Sequence, residues 1–302
     1  MTTLSIVILS WNTLDLLEAC LGSIYGKSRN LDYEVIVVDN GSEDGSPDMV
    51  AAKFQKAVLI RNRTNEGYAR GNNMGILRSR GDMVLLLNSD TEVQDNALEE
   101  MVSFLENNPE YGACGAQLLN PDGSIQRACM RFPDLMVTLF FDTFLEKLFP
   151  KNRFVRRYFM HDFDHASSID VDQPPGACFM FRGEVEERVG LLDEDLFLFY
   201  NDVDFCKRTR EAGYKIRFLA EARVLHHGGA STSKYGDFSL EWHRNRVRYY
   251  RKHFGVRGML ATKLAAVIKA FEEVIRFKKA GRGFRSPETK KIVDILRQVL
   301  KT

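Results

Sequence analysis

Several common ligand motifs are missing from this sequence, and each absence excludes a class of protein. The first apolar stretch, "SIVILSWNTLDLLEA", contains no glycine, so it lacks the G-x-G-x-x-G turn that brings a dinucleotide onto a helix start. No G-x-x-x-x-G-K-[ST] loop occurs either, which removes the P-loop phosphate site. The five cysteines (Cys20, Cys114, Cys129, Cys178, Cys206) are scattered and form no C-x-x-C pair. They point to neither a disulfide framework nor a cysteine zinc site, and they fit a reducing cytoplasm. Charge of one sign is also lacking. With 42 Lys and Arg against 41 Asp and Glu, no basic field favours a nucleic acid as partner. There is no uncharged run of membrane-spanning length, and "MTTLSIVILSWNTLD" has neither a basic leader nor a small-residue cleavage site. The expectation is a soluble or peripheral protein.

Hydrophobic patterning supplies the fold. "LSIVIL" (Leu4 to Leu9), "YEVIVVD" (Tyr33 to Asp39), "AVLI" (Ala57 to Ile60) and "MVLLL" (Met83 to Leu87) read as strands with helical patterns between them. Leu14, Leu17, Leu21 and Ile24 recur at helical spacing, with Asn12 and Thr13 as expected N-caps. This β-α alternation predicts an α/β fold with a mostly parallel, Rossmann-like sheet flanked by helices, its ligand crevice past the strand ends. Those ends are Ser10-Trp11-Asn12, Asp39-Asn40-Gly41 and Asn88-Ser89-Asp90. The expected organisation is a domain over 1–238, made of a nucleotide-binding half (1–119) and an acceptor-side half (120–238). A C-terminal helical appendage over 239–302 follows, where "SPET" gives Ser286 as N-cap and Pro287 as first helical residue.

The crevice residues carry the chemistry. A carboxylate at Asp39 can accept the imide N–H of a uracil or thymine ring, or it can close an Asx-turn; spacing leaves both open. "NRTNEGYARGNNMGI" places Gly67, Gly71 and Gly75 beside Asn65, Arg70 and Asn72, so that a helix start could come close to a phosphate. Helix packing would use the same glycines. Asp90, where five apolar residues stop, offers a hard oxygen suited to Mg2+ or Mn2+ carrying a diphosphate. A rival metal cluster, "HDFDH" (His161 to His165), lies in a polar connector without a matching acid elsewhere.

Taken in order, "SIVILSWN", "VVDNGSEDGS", "NEGYARGNNMGI", "LLLNSDTE" and the run from "GACFMFRGEVEERVG" to "RVLHHGGAS" resemble the family-two glycosyltransferases, and most closely their bacterial rhamnosyltransferase-like branch. The resemblance spans most of Leu4 to Ser231. It implies a GT-A fold, a nucleotide-sugar donor, a divalent metal (Mg2+ or Mn2+) and inversion at the anomeric carbon. By position it implies that "NSD" stands at the D-x-D place, with Asp90 as metal ligand, Asn88 where many members have Asp, and Ser89 on the nucleotide side with Ser10, Asn12, Asp39, Asn65, Gly67, Arg70 and Asn72. "YNDVDFCKR" stands where members end in Glu-Asp-x-Asp, so Asp202 matches the catalytic base, with Asn201 in place of Glu. His226 matches a second metal ligand, and Gly176, Ala177 and Cys178 match the loop on the acceptor and donor-sugar side.

The resulting expectation is an inverting glycosyltransferase moving a sugar, rhamnose from dTDP-rhamnose or a UDP-sugar, to a glycan or lipid-linked hydroxyl in cell-envelope polysaccharide synthesis. Its expected place is the cytoplasm, at the inner face of the membrane. Peripheral contact there would come from the apolar and aromatic stretch Leu135 to Phe149, followed by Arg153, Arg156 and Arg157, and from the cluster Arg276, Lys278, Lys279, Arg282 and Arg285. Core-packing helices with a solvated basic face would look the same. Two other classes stay in view: a sugar-nucleotide pyrophosphorylase, which needs a glycine-rich basic first loop, and a catalytically silent nucleotide- or glycan-binding module.

Overall fold

The structure, a computed structural model, describes residues 3–28, 30–229, 238–279 and 286–302. Ala230, Ser231, Arg282 and Arg285 therefore lie outside the described residues. The chain divides into two compact units. A sheet unit comprises Met1–Met130, Phe163–Phe197 and Asn201–Gly236, and a helical unit comprises Arg131–Asp162, Leu198–Tyr200 and Asp237–Thr302.

The sheet unit begins with the expected alternation. Its elements run β1 (Leu4–Ser10), α1 (Leu14–Lys27), β2 (Tyr33–Asp39), α2 (Ser46–Lys53), β3 (Val58–Arg61), α3 (Tyr68–Ile76) and β4 (Met83–Asn88). Next come β5 (Thr91–Val93), α4 (Ala97–Asn107), β6 (Tyr111–Leu119) and β7 (Ile125–Gln126). Later in the chain are β8 (Ile169–Asp170), β9 (Cys178–Arg182), α8 (Gly183–Val189), α9 (Asn201–Glu211) and β10 (Lys215–His226). The strand order is β3-β2-β1-β4-β9-β6-β10-β5. β3, β2, β1 and β4 are parallel neighbours, β9 runs antiparallel between β4 and β6, and β6 and β10 are again parallel.

Ile6, Ile8, Val35, Val37, Leu85 and Leu87 join Leu17, Leu21 and Ile24 of α1 in the main core, which is why the central strands read as continuous apolar runs. Register then sets the functional edge. Ser10 pairs with Asp39 and Leu9 with Asn88, so β1, β2 and β4 end level with one another.

The helical unit contains α5 (Leu135–Phe140), α6 (Phe144–Leu148), α7 (Arg153–Tyr158), α10 (Ser239–Lys279) and α11 (Pro287–Lys301). α10 breaks at Gly255, whose φ of 62° and ψ of −150° are not helical. Before the break, buried Arg246 donates to Thr138 Oγ1 at 3.0 Å and Tyr250 OH donates to Asp134 O at 3.0 Å, which fastens the 134–141 segment to the helix. Beyond it, a Cβ on Gly258 would stand 2.2 Å from Tyr250 O. That close approach requires glycine. No described helix is long and apolar enough to cross a membrane.

Candidate functional site

The carboxyl edge of β1, β2 and β4 is tied together by buried polar groups. Ser10 Oγ and Thr13 Oγ1 are 3.0 Å apart, and Thr13 Oγ1 and Ser89 Oγ 2.9 Å apart, a hydroxyl chain that links the ends of β1 and β4. Thr13 is thereby diverted from the capping role expected of it, and Asn12 sits at φ 55°. Asn12 braces the next loop instead: its N–H donates to Ser42 Oγ at 2.9 Å and its Oδ1 accepts from Glu43 N at 2.8 Å. The first N–H of α1 is taken by Asp44 Oδ2 at 2.9 Å, an acceptor 30 residues away that local spacing could not reveal.

Asp39 uses one carboxylate oxygen for the Asx-turn and leaves the other unused. Oδ2 accepts from Ser42 N at 3.1 Å, closing the turn, while Oδ1 is buried without a hydrogen-bond partner. A buried carboxylate oxygen left bare is costly, so this atom is positioned to take a donor from outside the chain. Its neighbour Asn40, which sequence reading did not single out, organises the wall beside it. Asn40 Nδ2 donates to Asn65 Oδ1 at 2.8 Å and Gly67 O at 3.2 Å, and its Oδ1 accepts from Asn62 Nδ2 and Glu66 N. Asn65 Oδ1 also accepts from Gly67 N at 2.9 Å, so Asn65 shapes the loop. Gly67, at φ 83°, is needed because a Cβ there would meet the Phe197 ring at 2.4 Å. Gly71 and Gly75 admit Leu9 and Val7 of β1 in the same way. Asn72 Nδ2 turns back to Tyr68 O at 2.9 Å, and Arg70 is exposed, pairing with Glu66 at 3.2 Å.

A second group forms where β4 gives way to β5. Asp90 is buried, and its Oδ1 lies 3.4 Å from His226 Nε2 on the last residue of β10. The opposite ring nitrogen, Nδ1, is 2.7 Å from Gln126 Oε1. Gln126 Nε2 donates to Asn120 Oδ1 at 3.1 Å, which fixes the amide so that its oxygen faces the histidine. An oxygen there can only accept, so Nδ1 carries a proton, and the neutral ring then has its lone pair on Nε2. Nε2 is buried and has no hydrogen-bond partner. A bare imidazole nitrogen facing a carboxylate oxygen fits a divalent cation. No cluster of three or more His, Cys, Asp or Glu able to hold a metal occurs among the described residues. Gln126 was absent from the sequence reading because its partner is 100 residues away. His227 pairs with Glu92 at 3.1 Å. His165 of the rival cluster is a satisfied core residue, its Nε2 accepting from Cys129 N at 3.2 Å and its Nδ1 3.1 Å from Phe163 O.

The third group lies at the start of α9. Burial raises the Asp202 carboxyl above its ordinary range, against the opposing hydrogen bond that Val203 N donates to Oδ1 at 2.8 Å. Asn201 is turned inward: its Nδ2 donates to Leu196 O at 3.2 Å and its Oδ1 accepts from Asp202 N at 2.8 Å, so it holds the helix start. Burial also raises the Tyr68 phenol, and the Asp202 charge adds to this, which places a tyrosine that sequence reading passed over near the carboxylate. Asp204, two residues on, is fully buried and pairs with Arg208 at 2.8 Å. One loop connects these groups. A Cβ on Gly176 would stand 2.8 Å from Asp202 Oδ2, while Ala177 O accepts from Asn88 N at 2.9 Å, and Cys178 pairs with Leu87.

This sheet and edge have the GT-A fold of glycosyltransferases. The chain matches the mannosyltransferase PcManGT from Pyrobaculum calidifontis, a structure in complex with GDP-Man and Mn2+, at a TM-score of 0.56 and 15% identity, over 98% of this chain and 84% of that one. The chain belongs to glycosyl transferase family 2, whose sequence profile matches residues 5–189. It is 30% identical over 240 residues to the uncharacterized protein y4gI of Sinorhizobium fredii, over 75% of this chain but only 24% of that longer protein. It thus spans about a quarter of that relative's length. It is 26% identical over 211 residues to the N-acetylglucosaminyl-diphospho-decaprenol L-rhamnosyltransferase of Mycobacterium tuberculosis, over 66% of this chain and 68% of that protein. Asn201, Asp202 and His226 lie C-terminal to the profile match.

Proposed function

We propose that the chain is a metal-dependent, inverting glycosyltransferase that moves a sugar, rhamnose in the leading reading, from a dTDP- or UDP-sugar to a hydroxyl of a glycan or lipid-linked acceptor. The observation that carries the proposal is the 176–178 loop. Its Gly176 adjoins Asp202, and its Ala177 is bonded to the strand that leads into Asp90, so a carboxylate of raised basicity shares one rim with a cation-ready pair. The rhamnosyl donor and lipid-linked acceptor are supported by the likeness to the mycobacterial enzyme, and cell-envelope synthesis at the cytoplasmic membrane face follows from such an acceptor.

In this reading Asp39 Oδ1 takes the imide N–H of the pyrimidine, and Ser10, Asn12, Asn65, Gly67, Arg70, Asn72 and Ser89 form or brace the nucleotide crevice. Asp90 and His226 would hold Mg2+ or Mn2+, which when bound offsets the charge of the departing diphosphate. Asp202 takes the proton from the acceptor hydroxyl as its oxygen attacks the anomeric carbon from the face opposite the leaving group. Inversion needs only this one carboxylate, and Asp204, held by Arg208, is not offered as a second.

A nucleotide-sugar screen with and without Mn2+ tests the proposal. UDP or dTDP is expected to stabilise the protein more than GDP or ADP, and chelation to abolish transfer. Equal shifts for all four nucleotides would remove the role given to Asp39. Full turnover in chelator would remove the shared cation, and donor binding without any turnover would return the silent-module reading.

A further inference from the structure

The second half of α10 is built the wrong way round for a helix whose only partner is its own protein. From residue 256 to 279 it buries Gly258, Thr262, Ala265, Ala266 and Ala270, all small residues. It leaves the large Met259, Ile268, Val274 and Phe277 half-buried and exposes six others: Val256 at 65%, Leu260 at 58%, Leu264 at 53%, Val267 at 40%, Phe271 at 67% and Ile275 at 39%. Their spacing of four, four, three, four and four residues keeps them on one face, a stripe of roughly 28 Å at 1.5 Å per residue. Isolated exposed apolar residues need no explanation, but a continuous stripe of this length marks a surface that something covers. α6 widens it. Lys147 Nζ pairs with Glu272 at 2.5 Å, which pins α6 beside α10, and α6 with its C-cap exposes Phe144, Leu148 and Phe149.

Charge decides between occupants. At 100° per residue, Arg257 and Lys278 fall within or at the borders of the stripe and Lys279 just outside it, while Lys263, at the other border, donates to Leu300 O at 2.9 Å. Both acids of this stretch are paired with cations of the protein itself: Glu272 with Lys147 of α6, and Glu273 within 3.9 Å of Lys269 and Arg276. Against a second copy, cationic borders would face cationic borders. Against an anionic bilayer surface, the same borders meet lipid phosphates while Leu, Val, Ile and Phe enter the acyl boundary. We infer that residues 256–279, with α6, form a docking surface for anionic phospholipid. This deepens the membrane-face location proposed above and rests on it only for its biological sense, since the stripe is independent of what the sheet unit transfers.

Full-length protein sedimented with vesicles of phosphatidylcholine containing one-third phosphatidylglycerol tests the inference. Binding is expected to be at least tenfold stronger than to phosphatidylcholine alone and to weaken with salt. It should fall about tenfold in Leu264→Ser/Phe271→Ser and severalfold in Lys278→Glu/Lys279→Glu. Nucleotide affinity and transfer to a soluble acceptor should be unchanged in both, so failure of the docking surface and failure of the transferase reading give different results. Unaltered sedimentation of the Leu264→Ser/Phe271→Ser variant overturns the inference. So does a wild-type dimer in light scattering that this variant converts to monomer without wild-type vesicle binding, because a second copy then covers the stripe.

Discussion

The two units begin their helices differently. In the helical unit each described N-terminus with a defined cap is closed by its own residue: Asp134 accepts from Met136 and Val137 N, Thr143 from Leu145 N, Asn152 from Val155 N and Ser286 from Thr289 N. In the sheet unit Thr13, Gly45, Gly67, Asn96 and Arg182 precede α1, α2, α3, α4 and α8, and none makes a side-chain cap. A locally capped helix has used its terminal donors, whereas uncapped starts at the edge of a parallel sheet keep theirs for distant loops or for a ligand. The units differ at the surface as well. Of the fourteen exposed large hydrophobic side chains among the described residues, twelve lie in the helical unit, so it is the one with an unsatisfied apolar face. One unit reserves polar valences and the other reserves apolar area.

The largest effect that would sharpen this comparison lies within α9. Asp202→Asn keeps the shape of the side chain but cannot accept a proton, so transfer is expected to fall by about 10²-fold or more with nucleotide affinity retained. Because burial raises the Asp202 carboxyl, wild-type transfer should increase as pH rises through that elevated value. The sign for stability is opposite. The native state holds its proton to higher pH than the unfolded chain, so stability is greatest below the unfolded carboxyl range and declines as pH rises toward the native value. Asp202→Asn should therefore be more stable than wild type at neutral pH, the gap closing in acid. Asp204→Asn should do the reverse: it breaks the pair between a fully buried carboxylate and the partly exposed Arg208 and is expected to cost on the order of 3 kcal/mol in denaturant unfolding. A large transfer defect in an Asp204→Asn protein that remains folded would move the base.

The next effect concerns Gln126. If it fixes the His226 tautomer, Gln126→Leu should weaken Mn2+ binding about tenfold or more, as read by titration of the metal alone. The loss should be smaller in Gln126→Asn only if the shorter amide still reaches Nδ1. Unchanged Mn2+ affinity would reduce Gln126 to a strand residue that braces Asn120.

The positions that escaped the sequence share a physical cause. β1, β2 and β4 were legible to within one residue because both of their faces are covered, and α1 because Leu17, Leu21 and Ile24 bury one stripe. β3 is displaced by one residue, Val58–Arg61 rather than Ala57–Ile60, where burial is only partial and the apolar signal is weak. Ser286 was legible as a cap because its partner is three residues away. Thr13 does stand at the N-cap position, but neither its side chain nor that of Asn12 caps the helix, because Glu43, Ser42 and Ser89 engage these two residues from outside any local window. The same holds for Asn40, Tyr68 and Gln126. Residue type marked Asp39, Asp90 and Asp202 as carboxylates at element ends, but the bare Oδ1 of Asp39 and the raised carboxyl of Asp202 arise from burial, which only the folded chain defines.

The smallest effect separates the two kinds of helix start. Ser286→Ala removes the acceptor for Thr289 N, 3.3 Å away, and leaves Pro287 in the first helical position. The expected cost is about 1 kcal/mol, typical of a lost serine cap. It should appear first as faster amide exchange at Thr289 and Lys290, because a cap acts on the first turn. Asn96 is the counterpart in the sheet unit. It precedes α4 at φ 61° without a side-chain cap, so Asn96→Gly removes no hydrogen bond to the helix and places glycine where it is unstrained. Its stability should change by no more than about 0.5 kcal/mol in either direction. Equal losses for the two substitutions would mean that Asn96 holds its helix start after all, and that the units do not differ in how their helices are closed.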